Sequence, residues 1–248
     1  IQFTPDLMPS DVLGTTVFNM KTNGFDFHQG PIFADIVLVD EINRAPAKTQ
    51  AALFEVMEER QVSIDGTTHR MGELYTILAT QNPVEQEGTY KLPEAQLDRF
   101  LMKITMDYPS LEEEVNILER HHTNAALVKL EDVTPVLTKE ELLSLRALMS
   151  RVFVDRTLLQ YIALIVQQTR TSKAVYLGAS PRASVAMLQS SKAYALLQGR
   201  DFVTPEDIKF VAPYVLQHRL ILTAEAEMEG YSPVKVTQRL IDKVEVPK

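Results

Sequence analysis

A short apolar run that ends in two carboxylates constrains this chain more than any other segment. Residues 36–39 read Ile-Val-Leu-Val, and Asp40 and Glu41 follow them directly. A run of this length, rich in β-branched residues, is typical of a buried strand in a parallel sheet. The carboxyl ends of such strands form the edge at which open α/β sheets bind ligands. We therefore expect an α/β fold with both carboxylates at the functional edge of its sheet.

The segments after this run support a layered α/β fold. Apolar residues at helical spacing predict a helix over residues 48–60, and further apolar runs predict strands at 75–80 and 100–106. A strand, a helix and a strand in succession are typical of a doubly wound sheet. An Asp-Gly pair at 65–66 and an Asn-Gly pair at 23–24 predict two β-hairpins that project from the rim of this sheet.

The sequence after Pro109 predicts helices. Capping-box patterns begin at Ser110 and Thr138, and Ser-Pro and Thr-Pro pairs at 180–181 and 204–205 mark two further helix starts. Between them, apolar residues at helical spacing over 159–166 predict another helix. The predicted organisation is the C-terminal portion of an α/β core at 1–120, a linker at 121–137, a helical lid at 138–225 and a less regular tail at 226–248.

Composition excludes several classes of protein. The 248 residues contain no Cys, which excludes disulfide scaffolds, thiol nucleophiles and Cys-based metal sites. A net charge of −8 argues against a nucleic-acid footprint over the whole surface, although a local basic patch stays compatible with it. No apolar window approaches the ~18 residues that span a bilayer, and no signal peptide is recognisable. We therefore expect a cytoplasmic protein without nucleic acid or a transmembrane segment.

Adjacent carboxylates at the edge of a sheet suit phosphoryl transfer. The first, Asp40, can help to hold Mg²⁺, usually through water, and the second, Glu41, can accept a proton from an attacking water. The alternative is that the strand simply ends in two acidic residues before a turn.

Three further polar residues stand where such chemistry needs them. Asn82 follows the next predicted strand, and an amide there can orient a water against a γ-phosphate; the alternative is a turn residue before Pro83. Arg99 precedes the predicted strand at 100–106, and Arg182 lies in the first turn of a predicted helix. For both arginines the alternative is a surface ion pair of little energetic value.

Five motifs follow one another at residues 3–11 (FTPDLMPSD), 40–45 (DEINRA), 79–83 (ATQNP), 85–90 (EQEGTY) and 92–100 (LPEAQLDRF). In their order and spacing the chain resembles the MoxR-type AAA+ ATPases from its first residue to about residue 222. The resemblance implies that Asp40 and Glu41 are the Walker B pair and that Asn82 is sensor 1. It further implies that Arg99 is an arginine finger presented to a neighbouring subunit and that Arg182 is sensor 2 of the lid.

This resemblance implies a partial AAA+ αβα core with a parallel sheet and inserted hairpins, followed by an all-α lid. It implies ATP hydrolysis with Mg²⁺ at sites between the subunits of a ring, a hexamer, whose work remodels or matures a client protein. The two hairpins match elements that line the pore and touch the client in related machines. A protein with a von Willebrand factor A domain is the implied partner, whereas the sequence does not identify the client. Glu85, Glu87 and Glu94 are expected to support the sensor 1 loop or the subunit interface.

One departure from the family is the phosphate loop. None of the nine glycines is followed by Lys, so the 248 residues contain no G-x-x-x-x-G-K-[ST] segment. The family carries this loop immediately upstream of the position of Ile1, and residues 1–4 read as a strand already under way. We therefore expect a fragment that lacks the loop and has little ATPase activity by itself.

Two alternatives remain open. A nucleotide-independent assembly or adaptor module can keep this fold without the phosphate loop, although it does not need the carboxylates, the amide and both arginines together. A chelatase-type AAA+ subunit shares the same machinery, and residues at the hairpin tips do not separate it from a MoxR-type machine.

Overall fold

The chain divides into an α/β unit, Ile1–Leu101, and a helical unit, Met102–Lys248. The computed structural model describes residues 1–82, 90, 92–123 and 130–246. The predicted order of an α/β half followed by a helical half is confirmed. The finer division predicted from the sequence, with a core at 1–120 and a lid at 138–225, stays a prediction.

Besides a short 3₁₀ helix at Ile42–Arg44, the described part of the first unit contains three α-helices and six strands. In chain order they are α1 (Pro9–Leu13), β1 (Gly14–Asn19), β2 (Gly24–Gln29), β3 (Ile36–Val39), α2 (Ala47–Glu59), β4 (Gln61–Ile64), β5 (Thr67–Arg70), β6 (Thr76–Ala79) and α3 (Glu94–Leu97).

A parallel pair of strands, β3 and β6, organises this unit. Their register joins Ile36 to Thr76 and Val39 to Ala79. The start of the chain adds a third segment, because Gln2 forms a parallel bridge with the residue after β3. The predicted strands at 36–39 and 75–80 and their parallel arrangement are therefore confirmed.

Only one face of β3 is buried. Val37 and Val39 lie in the core with Leu53 of α2, whereas Ile36 and Leu38 on the opposite face are 64% and 54% exposed. Since successive side chains of a strand point to opposite faces, the core formed with α2 covers one half of the apolar run. The expectation of a buried strand therefore holds for one face.

Both predicted hairpins are present. β1 pairs with β2 and β4 with β5, each pair antiparallel. At the tip of the second hairpin, Asp65 and Gly66 have φ of 49° and 80°, the left-handed values that a type I′ turn requires. Asn23 at the first tip has φ of 52°. Gly24 is already the first residue of β2 and pairs with Asn19, so the first hairpin turns over residues 20–23, next to its predicted Asn-Gly pair. Only the second tip is a two-residue Asp-Gly turn.

The strand predicted at 100–106 is wrong. Residues 102–110 have no regular secondary structure, and Ile104 and Met106 are 70% and 87% exposed. The backbone N–H of Lys103 donates to the carbonyl of Tyr214 at 2.9 Å rather than to a strand. An apolar run forms a strand only where a neighbouring strand takes up its backbone hydrogen bonds, and here a helix carbonyl takes this one.

Helices dominate the described part of the second unit, and none of the helices described in the chain is both long and apolar enough to cross a membrane. Its core joins buried side chains of α6, α7, α8 and α10. The elements are α4 (Leu111–His122), α5 (Lys139–Met149), α6 (Arg156–Thr171), β7 (Val175–Leu177), α7 (Pro181–Leu197), α8 (Pro205–Leu216), β8 (Ile221–Leu222), α9 (Ala224–Met228) and α10 (Pro233–Lys243).

The predicted helix starts are confirmed at their capping residues. The hydroxyls of Ser110 and Thr138 accept from backbone N–H groups three residues later, and the carboxylates of Glu113 and Glu141 bond back to the cap backbone. Ser180 caps α7 through a bond from the N–H of Arg182 at 3.1 Å. Local sequence therefore determines where these helices begin.

The segment predicted as a less regular tail contains a helix of the core. Val236, Leu240 and Ile241 of α10 are 3%, 3% and 1% exposed, and Ser232 caps the helix by accepting from the N–H of Lys235 at 3.3 Å. The Ser232-Pro233 start is the same signal as at α7. The prediction missed α10 because the signal at 232–233 was not combined with the helical spacing of the apolar residues after it.

One buried carboxylate holds the turn between α7 and α8. Asp207 is 1% exposed and accepts from both terminal nitrogens of Arg200, at 2.8 and 2.5 Å, and from the backbone N–H of Thr204 at 2.7 Å. Burial alone raises the pKa of Asp207, but the bonds from Arg200 and Thr204 outweigh it, so the pKa lies below its ordinary range. The turn therefore depends on an ionised Asp207.

We predict that Asp207→Asn lowers the free energy of unfolding by about 1–3 kcal/mol, because a buried charge-assisted contact is lost. A folded pKa below the ordinary value of about 3.9 makes this contribution complete above about pH 4. It is lost as the pH falls through the folded pKa. Urea unfolding of both proteins at several pH values measures the difference. The matched control is Asp201→Asn, since Asp201 is exposed in the same turn. Equal stability of the two variants at neutral pH would contradict the prediction.

Candidate functional site

The carboxyl ends of β3 and β6 bring the predicted site residues to one edge. Asp40 and Glu41 follow β3, while Thr80 and Asn82 follow β6. Because Val39 pairs with Ala79, the next residues along the two strands, Asp40 and Thr80, stand side by side. Asn82 lies two residues further along the same edge and is partly buried. The structure thus places the predicted Walker B pair and sensor 1 on neighbouring segments.

The Thr80 hydroxyl connects the two strand ends. It donates to Oδ1 of Asp40 at 2.5 Å and accepts from the backbone N–H of Glu41 at 2.9 Å. The carbonyl of Thr80 accepts from the N–H of Ile42 at 3.0 Å. These bonds fix both the Asp40 carboxylate and the backbone that carries Glu41.

Glu41 has a left-handed backbone and a firmly held side chain. Its φ and ψ are 55° and 49°. This left-handed region is unfavourable for any residue that has a Cβ atom, and residues in it often lie at functional sites. Its Oε2 accepts from the amide of Gln2 at 2.7 Å and from the guanidinium of Arg44 at 3.0 Å. In this arrangement the carboxylate is bound to the protein's own donors.

Arg99 lies against α2 and away from the carboxylate pair. Its guanidinium forms an ion pair with Glu58 and donates to the carbonyl of Phe54 at 3.2 Å. These residues line an open pocket of about 300 Å³ together with Gln96. The carboxylate that pairs with Arg99 is thus Glu58, not Glu41, and a role as a finger toward a neighbouring subunit stays a prediction.

Arg182 belongs to the second unit, where it is an exposed residue in the first turn of α7. Glu94 is the first residue of α3. Glu85 and Glu87, predicted to support the sensor 1 loop, lie outside the described residues. The roles of all four residues therefore stay predictions.

Sequence reasoning assigned no role to Gln2, Arg44 or Thr80. Arg44 and Thr80 stand inside the motifs at 40–45 and 79–83, so their proximity to the carboxylates was available from those motifs. Gln2 is 39 residues from Glu41, and only the parallel bridge brings it there.

The described residues contain no group of three His, Asp or Glu side chains that could hold a metal ion alone. The carboxylate of Asp40 is a donor that suits Mg²⁺, since this ion keeps several waters and takes one or two carboxylates plus the oxygens of substrate phosphates.

Comparison with known proteins identifies the family. Residues 1–102 match the ATPase family associated with various cellular activities, and residues 167–242 match the AAA lid domain. The chain is 44% identical to Chaperone MoxR1 of Mycobacterium tuberculosis over all of its own length and 67% of that protein. The chain belongs to the MoxR-type AAA+ ATPases. The predicted AAA+ core and helical lid are thereby confirmed, and the lid contains the short antiparallel pair β7–β8 besides its helices.

Other relatives of this MoxR-type chain agree with the assignment. YeaC of Bacillus subtilis is 47% identical over all of this chain and 76% of its own length. A crystal structure of a protein from Cytophaga hutchinsonii superposes with a TM-score of 0.90 at 41% identity, covering all of this chain and 77% of that one. A magnesium-chelatase 38 kDa subunit of Acidiphilium rubrum is only 24% identical over 73% of the chain. The chelatase alternative is therefore a distant one.

Proposed function

We propose that this MoxR-type protein hydrolyses ATP with Mg²⁺ and uses the energy to remodel or mature client proteins. The observation that carries the proposal is the edge at which β3 and β6 end. It presents Asp40 and Glu41 together, with Thr80 bonded to both. An assembly module that binds no nucleotide has no need for two carboxylates held in this way.

The residues at this edge suit the nucleotide and the ion that AAA+ ATPases use in general. Asp40 is partly buried and offers a hard oxygen donor, which Mg²⁺ prefers, so it would hold the ion, through water. When bound, Mg²⁺ neutralises negative charge on the phosphate oxygens. Glu41 would accept the proton of the attacking water, and the amide of Asn82 would orient that water. Arg182 would contact the nucleotide as sensor 2.

Glu41 has to exchange contacts before it can act as a base. Its Oε2 is bonded to Gln2 and Arg44, and a general base needs a hydrogen bond to the water that it deprotonates. Both bonds join partly exposed side chains at the edge of the unit, where water can replace either partner. The bonds therefore define a resting position of the base, from which it turns to the attacking water.

Arg99 is available to a neighbouring subunit by the same reasoning. The side chains of Arg99 and Glu58 are 30% and 36% exposed, and ion pairs that reach solvent contribute little free energy, typically below about 1 kcal/mol. The charge on a neighbour's γ-phosphate can compete for such a guanidinium. This supports hydrolysis at sites between the subunits of a ring, which we propose to be a hexamer.

The first hairpin carries apolar side chains that suit contact with a client. Met20 and Phe25 at its tip are 89% and 75% exposed, and the ring of Phe25 packs edge-on against Phe18 with centroids 5.3 Å apart. Exposed apolar residues clustered on one projecting element are typical of interaction sites. We propose that this hairpin and the β4–β5 hairpin touch the client.

The remaining parts of the proposal rest on the family alone. They are a partner with a von Willebrand factor A domain and a location in the cytoplasm.

Binding of ATP needs a phosphate loop in addition to the site described above, because backbone N–H groups and a Lys normally hold the phosphates. We predict that the 248-residue chain shows little ATPase activity and weak or no nucleotide affinity. Isothermal titration with ATP and Mg²⁺ measures this. A dissociation constant in the micromolar range would contradict the prediction.

For the full-length protein we predict that Glu41→Gln and Arg99→Ala each abolish hydrolysis for different reasons. Glu41→Gln removes the proton acceptor and keeps the shape, so ATP should bind and persist. Arg99→Ala removes charge stabilisation in the transition state, which for such fingers is worth about 10³–10⁵ in rate.

Mixing the two variants tests whether they act on opposite sides of one interface. A subunit with intact Glu41 can receive an intact Arg99 from its Glu41→Gln neighbour, so mixed rings should recover part of the activity. Steady-state ATPase rates across mixing ratios should therefore rise between two inactive ends, with mixed rings confirmed by mass measurement. A flat profile would mean that Arg99 serves its own subunit or no nucleotide, and an inactive wild type would favour the nucleotide-independent assembly module.

A further inference from the structure

A single hydroxyl group contacts both carboxylate residues of the site. Thr80 Oγ1 donates to Asp40 Oδ1 at 2.5 Å and accepts from the Glu41 N–H at 2.9 Å. A hydroxyl has one hydrogen to donate and two lone pairs to accept with, so both bonds form at the same time. We propose that Thr80 is a positioning residue for ATP hydrolysis, an inference that rests on the function proposed above.

The bond to Glu41 supports a backbone that is otherwise unfavourable. Four residues other than glycine have positive φ in the described part of the chain, and the other three are Asn23, Arg60 and Asp65. Asn23 and Asp65 lie at hairpin tips, and Arg60 ends α2, places where left-handed residues are common. Glu41 instead lies just beyond the carboxyl end of β3. Its N–H is held by the Thr80 hydroxyl, and the next N–H, of Ile42, is held by the Thr80 carbonyl.

The left-handed backbone of Glu41 determines the direction in which its side chain leaves the main chain. If φ moved to the common negative region, the Cα–Cβ bond would swing away from its present direction. The carboxylate would then leave the position in which Gln2 and Arg44 contact it. Thr80 therefore sets the place from which the base reaches the attacking water, without touching that water itself.

The bond to Asp40 acts on the other carboxylate. A charge-assisted bond to Oδ1 restricts rotation of the carboxyl group and thereby fixes the direction of its second oxygen. Hydrogen bonds of this kind around a metal-binding carboxylate typically change metal affinity or activity by about 10–100-fold when removed. The Thr80 hydroxyl thus fixes the position of Asp40, which would hold the ion, relative to the backbone of Glu41, the proposed proton acceptor.

The same strand provides a matched control. Thr76, at the start of β6, is also exposed, and its hydroxyl donates to the carbonyl of Leu74 at 2.9 Å, outside the site. Replacing Thr by Val at either position keeps the β-branched shape and removes one hydroxyl. Only the hydroxyl of Thr80 reaches the carboxylate pair, so the two substitutions separate positioning from strand stability.

The experiment compares Thr80→Val, Thr80→Ser and Thr76→Val in the full-length protein. We expect Thr80→Val to lower kcat by about 10–100-fold and to raise the Mg²⁺ concentration for half-maximal rate, with a small change in KM for ATP. Thr80→Ser keeps the hydroxyl and should retain most of the wild-type kcat, and Thr76→Val should match the wild type. Equal rates for Thr80→Val and Thr76→Val would overturn the proposal, as would a Thr80→Ser variant as slow as Thr80→Val.

A structural readout separates this proposal from the proposed function. If the wild-type protein shows no more ATPase activity than Glu41→Gln, the proposed function fails. Crystal structures of the wild type and Thr80→Val still report the positioning: Glu41 should leave the left-handed region, and Asp40 should change its rotamer, when the hydroxyl is absent. Unchanged Asp40 and Glu41 in Thr80→Val would overturn the proposal whatever the activity.

Discussion

Parallel pairing of β3 with β6, in the register that joins Val39 to Ala79, places the residue after one strand beside the residue after the other. A slip of one residue would turn every side chain of β3 to the opposite face. Val37 and Val39 would then leave the core for solvent, and the hydroxyl of Thr80 would no longer face Asp40. Burial of two valines and the geometry of two carboxylates are thus consequences of the same set of backbone hydrogen bonds.

In the second unit, a side chain rather than a strand pair fixes the backbone between two elements. The turn before α8 forms a single parallel bridge, between Phe202 and Phe153, and the ionised Asp207 binds Arg200 and the backbone of Thr204. The turn joins α7 to α8, and α7 carries Arg182 in its first turn. Arg182 therefore lies on a helix that is fixed at both ends. Ser180 caps its start, and the contacts of Asp207 hold the turn that follows its end.

Features that depend on neighbours in sequence were predictable. The hairpin turns and the helix starts at Ser110, Thr138 and Ser180 need only residues within a few positions, and all of them are present. Contacts between distant residues were not predictable: Gln2 with Glu41 spans 39 positions, and Arg99 with Phe54 spans 45. The strand predicted at 100–106 is absent for a related reason. A strand forms only with a partner strand, and the sequence of the segment itself does not indicate whether such a partner is present. Helix α10 was predictable from the Ser-Pro pair at 232–233, and the proximity of Arg44 and Thr80 to the carboxylates was predictable from the motifs that contain them.

Helix α2 connects the carboxylate site to the second hairpin. It begins six residues after Glu41 and is 13 residues long, a rod of about 20 Å at 1.5 Å per residue. Its last turn carries Glu58, the partner of Arg99. The next residue after the helix, Arg60, precedes the second hairpin, and its carbonyl accepts from the N–H of Met71 at 2.9 Å. Removal of Arg99 from this ion pair by a neighbour would therefore change the electrostatic environment at the far end of the helix, three residues before β4.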